Sequence, residues 1–278
     1  MSLVLESNYV TCRMIGRLGN QMFQIANAYA QSLRHKRQLV IPGQDTSVSD
    51  YFETVHRKLT FTTTKSPEPS PDIHTVDATY YYTPYEPHST KPTVFRGYFE
   101  SEKYFKDYAE EVKTLFEPTS DFLESTYREY PQLKTETNAA INVRRGDFLT
   151  FPRSHPVITL DYIYKAVEIL PKVDTIYVLS DDLEWCQQNI KLPNTVFVDY
   201  KRHKALWFLS LCQNFVISNS TFSWWGAYLS RSPSKVVIAP EVWFGPDILA
   251  NTDPKDILCK DWIKCPAKYD PTGFIYPL

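Results

Sequence analysis

The sequence predicts an α/β protein with parallel sheets, in two lobes that meet near residue 138. Three observations carry that prediction. From Ala139 onward, short β-branched runs alternate with helical stretches of about 9–12 residues, which is the pattern of βαβ units. The chain opens with the same strand–helix–strand pattern. At about 150 residues per domain, 278 residues make one large or two ordinary domains. The expected division is 1–138 and 139–278, each lobe doubly wound and Rossmann-like.

Tyr9–Met14 reads as the first strand and Asn20–Arg34 as an amphipathic helix beginning just after Gly16-Arg17-Leu18-Gly19. A second strand follows at Gln38–Ile41. Between Thr62 and Pro92 stand Pro67, Pro69, Pro71, Pro84, Pro87 and Pro92, with few aliphatic residues. Proline has no amide to donate and interrupts helices and central strands, so this stretch reads as a long surface excursion. Its Tyr80, Tyr81, Tyr82 and Tyr85 leave a sugar-contacting loop as the alternative to a plain one.

The second half is regular. Ala139–Val143 is a short apolar strand followed by Arg-Arg-Gly-Asp-Phe. Leu160–Leu170 has helical spacing with Thr159 as its N-cap. Thr175–Leu179 is a strand that leads into Ser180-Asp181-Asp182 and a helix ending near Ile190. Thr195–Val198 is a strand, Lys204–Cys212 a helix, Phe215–Ile217 a strand, Thr221–Leu229 a helix and Lys235–Ala239 a strand.

Composition narrows the function classes. Residues are 43% apolar and 22% charged, a globular balance. Thirty basic and 32 acidic side chains leave a net charge of −2, which argues against a dedicated nucleic-acid binder. No apolar run approaches the ~18 residues of a membrane helix, so membrane association is at most peripheral. The opening MSLVLESNYV carries Glu6 and no basic region, unlike a signal peptide. Five cysteines without C-x-x-C spacing indicate reduced core thiols rather than a zinc site or disulfide framework. A cytoplasmic protein is expected. The Asn219-Ser220-Thr221 sequon lies in a turn with another use and reads as accidental.

In open α/β sheets, ligands bind outside the carboxyl ends of strands, where helix N-termini present free amides. Here those positions hold Arg144, Arg145, Gly146 and Asp147; Ser180, Asp181 and Asp182; Ser218, Asn219, Ser220, Thr221 and Ser223; and Gly16, Arg17, Gly19, Asn20 and Gln21. Adjacent arginines suit a phosphate or diphosphate, because the guanidinium fork is planar and always charged. A surface ion pair with Asp147 satisfies the same residues. The Ser-Asn-Ser-Thr-Phe-Ser turn can hold anionic oxygens or simply cap its helix. Asp181 and Asp182 can accept from a guanine edge or ribose, though capping explains one of them. Trp224-Trp225 reads as packing. Together these turns describe a nucleotide-diphosphate pocket. G-x-x-x-x-G-K-[ST], G-x-G-x-x-G, H-E-x-x-H and G-x-S-x-G are all absent. So is Asp-x-Asp, a mount for a metal on a diphosphate leaving group. Transfer from a nucleotide sugar, with arginines and helix termini in place of a metal, fits best.

The segments GRLGNQMFQIANAYA, GYFESEKYF, INVRRGDF, YVLSDDLEWC, VISNSTFSWWGAYLS and VIAPEVWF, in order from residue 16 to 244, resemble the α-1,2-fucosyltransferase family, glycosyltransferase family 11. GRLGNQ and the RRGD and SDD turns also resemble the protein O-fucosyltransferases. The resemblance implies a GT-B-like fold with the donor site in the C-terminal lobe at the inter-lobe cleft. It further implies inverting, metal-independent transfer of L-fucose from GDP-fucose to the 2-hydroxyl of a galactoside in a glycan. Arg144, with Arg145 beside it, would hold the β-phosphate, and Asp147 would orient the arginines or act as base. Asp181 would meet guanine or ribose. Ser220, Thr221 and Ser223, with Asn219, would face the phosphates, and Asn20 and Gln21 would line the donor site. Asn142 stands where the family usually has His and cannot act as a base, which keeps an idle GDP-sugar-binding module as an alternative. Glu100 stands where the family often has Gln. Asp147, Glu100 and His155 are the candidate bases, in that order.

Overall fold

The computed structural model describes residues 7–43, 51, 53–65, 67–68, 70–78 and 81–278. Residues 1–6, Pro69 and Tyr80, used in the readings above, lie outside the described residues. The chain divides into two compact units. One runs to Glu117 and takes in Thr252–Cys259; the other comprises Pro118–Asn251 and Lys260–Leu278.

In the first unit, β1 (Val10–Cys12) leads through the Gly16 turn into α1 (Leu18–His35) and β2 (Leu39–Pro42). β3 (Phe61–Thr62), β4 (His74–Asp77), β5 (Thr93–Arg96) and α2 (Ala109–Phe116) complete it. The sheet is parallel, in the order β3-β2-β1-β5-β4. β4 lies inside the proline-rich stretch, where no strand is expected. It is an edge strand, and an edge is where neighbouring prolines are tolerated. α1 begins two residues earlier than its periodicity suggests, so Asn20 and Gln21 belong to its first turn.

The second unit starts before residue 138. α3 (Ser120–Glu129) and α4 (Gln132–Thr135) belong to it, and aromatic side chains of α3 and of the turn between the two helices pack on its core. Phe122 meets Trp207 at 5.3 Å, and Tyr130, between the two helices, meets Phe208 at 5.1 Å. The Phe122–Thr126–Tyr130 spacing marks a helix face but not the unit on which it packs.

The remaining elements follow the expected alternation, with one short unexpected strand at Val157–Ile158: β6 (Asn138–Val143), β7 (Val157–Ile158), α5 (Leu160–Ile169), β8 (Thr175–Ser180), α6 (Leu183–Asn189), β9 (Thr195–Phe197), α7 (Arg202–Ser210), β10 (Asn214–Ile217), α8 (Thr221–Leu229) and β11 (Val237–Pro240). Beyond the expectation come α9 (Pro246–Leu249), β12 (Ile263–Cys265), β13 (Ala267–Tyr269) and β14 (Phe274–Pro277). The main sheet is parallel, in the order β12-β11-β10-β6-β8-β9, and β13, β14 and β7 form a small mixed sheet. β6, central and wholly buried, is apolar apart from Asn138 and Asn142. Trp224 and Trp225 are fully buried, Trp224 stacking on Tyr228 at 4.5 Å, so the pair is packing as expected. A Cβ on Gly226 would fall 2.7 Å from Leu209, so this glycine lets α8 approach α7 closely. All five cysteines are buried and unbridged.

Candidate functional site

In each unit the strand order reverses beside the first strand. Numbering runs outward from β1 through β2 to β3, then resumes on the other side with β5 and β4. In the second unit it runs from β6 through β8 to β9, then resumes with β10, β11 and β12. Loops leaving the carboxyl ends of two strands at such a reversal diverge and open a crevice. β6 and β10 therefore mark the second unit's crevice, and β1 and β5 the first unit's.

Ser218, the first residue after β10, ties the two strand ends together. Its hydroxyl donates to the Asn142 carbonyl at 2.6 Å and accepts from the Arg144 amide at 2.8 Å. Arg144 then sends its guanidinium between two carboxylates, Asp147 and, at 2.8 Å, Asp181. Asp181 also accepts from the Arg145 amide at 2.9 Å. A Cβ on Gly146 would fall 2.4 Å from Asp181 Oδ2, so glycine here leaves that carboxylate its place. The Arg145 side chain turns another way. It lies 3.6 Å over the Trp185 ring, bonds Asp182 at 3.0 Å and is 11% exposed, against 22% for Arg144. Asp182 caps α6 through the Trp185 amide. α8 starts beside these groups, and its N-cap Ser220 makes no side-chain cap bond. Among the described residues, no group of three or more His, Cys, Asp or Glu side chains is arranged to hold a metal ion.

At the first unit's crevice, Gln24 accepts from the Ile15 amide and donates to the Ile15 carbonyl, and Gln21 donates to the Gly16 carbonyl at 3.2 Å. These bonds hold the β1–α1 turn. Asn20 reaches across to Glu100, donating to Oε1 at 3.1 Å. Burial pushes the Glu100 carboxyl up to about 7.

The sequence pattern described as Glycosyl transferase family 11 matches residues 3–265. The chain belongs to glycosyltransferase family 11. This family 11 glycosyltransferase is 26% identical over 297 residues to an Escherichia coli protein named alpha-1,2-colitosyltransferase, a match covering 94% of this chain and 97% of that one. It is 25% identical over 273 residues to galactoside alpha-(1,2)-fucosyltransferase 2 of Oryctolagus cuniculus, covering 87% and 76%. Its fold is similar to that of NodZ alpha-1,6-fucosyltransferase soaked with GDP-fucose. That Bradyrhizobium protein gives a TM-score of 0.52 at 14% identity over 81% of this chain and 93% of that one. The fold is thus α/β and GT-B-like. Among the described residues no helix is long and apolar enough to cross a membrane.

Against the expected roles, the family 11 enzyme gathers Arg144, Arg145, Asp147, Asp181, Ser220 and Thr221 at the carboxyl ends of β6, β8 and β10 but divides their work. Arg144 is the more exposed guanidinium, whereas Arg145 is a buttress held by Trp185 and Asp182. Asp181, expected to meet guanine or ribose, pairs with Arg144 and accepts from the Arg145 amide. Asn142 and Ser223 are spent on each other at 2.5 Å, with Asn142 also donating to the Leu179 carbonyl. Asn219 donates to the carbonyls of Pro156 and Trp243 and is 3% exposed. Gln21 is fully buried. All four side chains are buried. Of the candidate bases, Asp147 is paired with Arg144 and His155 stacks on Phe148 at 4.9 Å. Ser218, named among the strand-end residues without a role of its own, is a positioning residue for Arg144.

Proposed function

We propose that this glycosyltransferase moves an L-fucosyl group from GDP-fucose to the 2-hydroxyl of a galactoside within a glycan, with inversion at C1 and without a metal ion. One observation carries the reading: a partly exposed arginine, Arg144, is held at the β6/β10 reversal beside the start of α8. As the bond from C1 to the diphosphate breaks, negative charge collects on the departing phosphate. A guanidinium already fixed in place stabilises that charge without reorganising. Amides at the α8 N-terminus add to it. Three carboxylates crowd the two arginines, so the phosphate takes the place of Asp147, at 34% the most exposed of them. The mammalian relative's name supports the galactoside 2-hydroxyl as acceptor, and the NodZ structure supports GDP-fucose as donor.

Arg144→Ala is expected to abolish transfer and to cost about 1.5–3 kcal/mol of GDP affinity, the worth of one charge-assisted bond. GDP release from GDP-fucose, followed with lactose and with a folded protein domain as acceptors, separates glycan from protein fucosylation. EDTA should leave the rate unchanged. Wild-type turnover in Arg144→Ala would sink the reading of this pocket. A second donor, carrying colitose, is favoured by the relative that matches along nearly its whole length. Colitose is fucose without its 3-hydroxyl, so offering both sugars decides the donor.

A further inference from the structure

Phe151, at 60%, is the most exposed aromatic ring among the described residues. It stands on the loop that leaves the carboxyl end of β6 with Arg144 and ends at β7, wholly within the second unit. Leu149, two residues earlier, is exposed as well. Single exposed apolar side chains are ordinary on slack surface loops. This loop is not slack.

Its own backbone closes it. The Leu149 amide donates to the Arg145 carbonyl at 2.9 Å and the Thr150 amide to the Asp147 carbonyl at 3.0 Å. The Ser154 and His155 amides both donate to the Phe151 carbonyl, at 3.0 and 2.9 Å. Phe148 is buried, 5.5 Å from the Arg144 guanidinium and 4.9 Å from the His155 ring. Outside, the loop grips the segment that follows β11. Arg153 bonds Asp247 Oδ1 through Nε at 3.1 Å and Nη2 at 2.8 Å, and the Gly245 amide donates to the Ser154 carbonyl at 2.9 Å. A Cβ on Gly245 would fall 2.1 Å from the Arg153 carbonyl oxygen, so loop and segment meet backbone to backbone. The buried Asn219 amide donates to the carbonyls of Pro156 and Trp243 and ties both to the end of β10. Leu249, exposed like Leu149, lies on α9 in the gripped segment.

Sheet order says what such a platform meets. Asp181 and Asp182, the groups expected to accept from a base or ribose, follow β8 on one side of β6. The loop leans the other way, toward the segment after β11. Resting on the fucosyl-transfer reading, which puts the diphosphate at Arg144, we infer that the acceptor galactoside lies on Phe151 and Leu149, making Phe151 a determinant of acceptor choice. A nucleotide sugar runs base, ribose, diphosphate, sugar in one chain. With its base end toward β8, its sugar end points toward β11 and this loop. The axial 4-hydroxyl of galactose leaves H3, H4 and H5 together on one face, an apolar surface about as wide as a phenyl ring. Water leaves both surfaces when they meet, and the electron-rich ring face receives the polarised C–H bonds. Thr150, Arg153 and Asp247, on the loop and its partner segment, supply donors and acceptors for the hydroxyls.

The test compares wild type with Phe151→Ala and Phe151→Trp, with thermal unfolding and sedimentation as controls. GDP release is measured against lactose at saturating GDP-fucose, and against GDP-fucose at saturating lactose. Phe151→Ala should raise the KM for lactose about tenfold, the worth of covering one ring face. Its turnover at saturating lactose and its KM for GDP-fucose should stay within about twofold of wild type. Phe151→Trp should keep the wild-type KM for lactose, because an indole offers the same face. Saturation-transfer NMR of lactose should mark H3, H4 and H5 with wild type and not with Phe151→Ala. A Phe151→Ala enzyme with the wild-type KM for lactose overturns the inference and leaves the functional reading standing. So does a rise confined to the KM for GDP-fucose, or a wild-type dimer that Phe151→Ala dissociates. A wild type that releases no GDP with any galactoside overturns the functional reading and this inference with it.

Discussion

Gly146→Ala tests whether Asp181 is what holds Arg144 in place. The new Cβ would lie 2.4 Å from Asp181 Oδ2 and 3.2 Å from its Cγ, so the carboxylate must swing away. It would leave two partners: Arg144 Nη1 at 2.8 Å and the Arg145 amide at 2.9 Å. The ion-pair side chains are 22% and 26% exposed, so solvent screens that pair to under ~1 kcal/mol. The amide bond adds about 1 kcal/mol. Stability should therefore fall by about 1.5 kcal/mol, or roughly 3–6 °C in Tm for a chain of this size. GDP affinity should fall further, by about tenfold or more, because the guanidinium that meets phosphate loses its fixed direction. Calorimetric titration with GDP and thermal unfolding on the same preparation measure both. A folded Gly146→Ala protein that binds GDP as tightly as wild type would show that Arg144 is positioned by something other than Asp181.

Ser223→Ala should cost ~1–3 kcal/mol in stability by leaving Asn142 Oδ1 buried without a donor. It should leave GDP affinity within about twofold; a large loss of affinity with unchanged stability would return Ser223 to the donor site. His56 is fully buried among Tyr51, Phe61 and Phe116, and burial lowers its imidazole from 6.5 to about 3. The unfolded chain thus binds one more proton between those values, and the stability this group contributes, present above pH 6.5, is lost as pH falls toward 3. The slope is ~1.4 kcal/mol per pH unit, close to 3 kcal/mol by pH 4.5. Chemical denaturation of wild type and His56→Phe at pH 7 and 4.5 checks it, since equal losses in both would clear His56.

The second unit was more legible than the first because its elements announce themselves locally. Leu160–Ile169 carries its own apolar stripe and the Thr159 cap, and β6 and β8 are short apolar runs between turn residues. β4 was hidden because its neighbours are prolines and its pairing partner, β5, lies farther along the chain. α3 and α4 fell on the wrong side of the expected boundary because their allegiance is set by where Phe122 and Tyr130 find aromatic partners.

The sequence by itself determined the alternation of strands and helices in the second half, the turns that gather at strand ends, and the family those turns belong to. These are local features, written in spacing and in residues that cap, bend or carry charge. Only the tertiary structure decided what each polar group at those turns does. Arg145 and Asp182 are 37 residues apart, Asn142 and Ser223 81, and Asn20 and Glu100 80. Two arginines side by side in sequence look interchangeable. Strand order and register send one to a half-buried tryptophan, Trp185, and leave the other at the crevice.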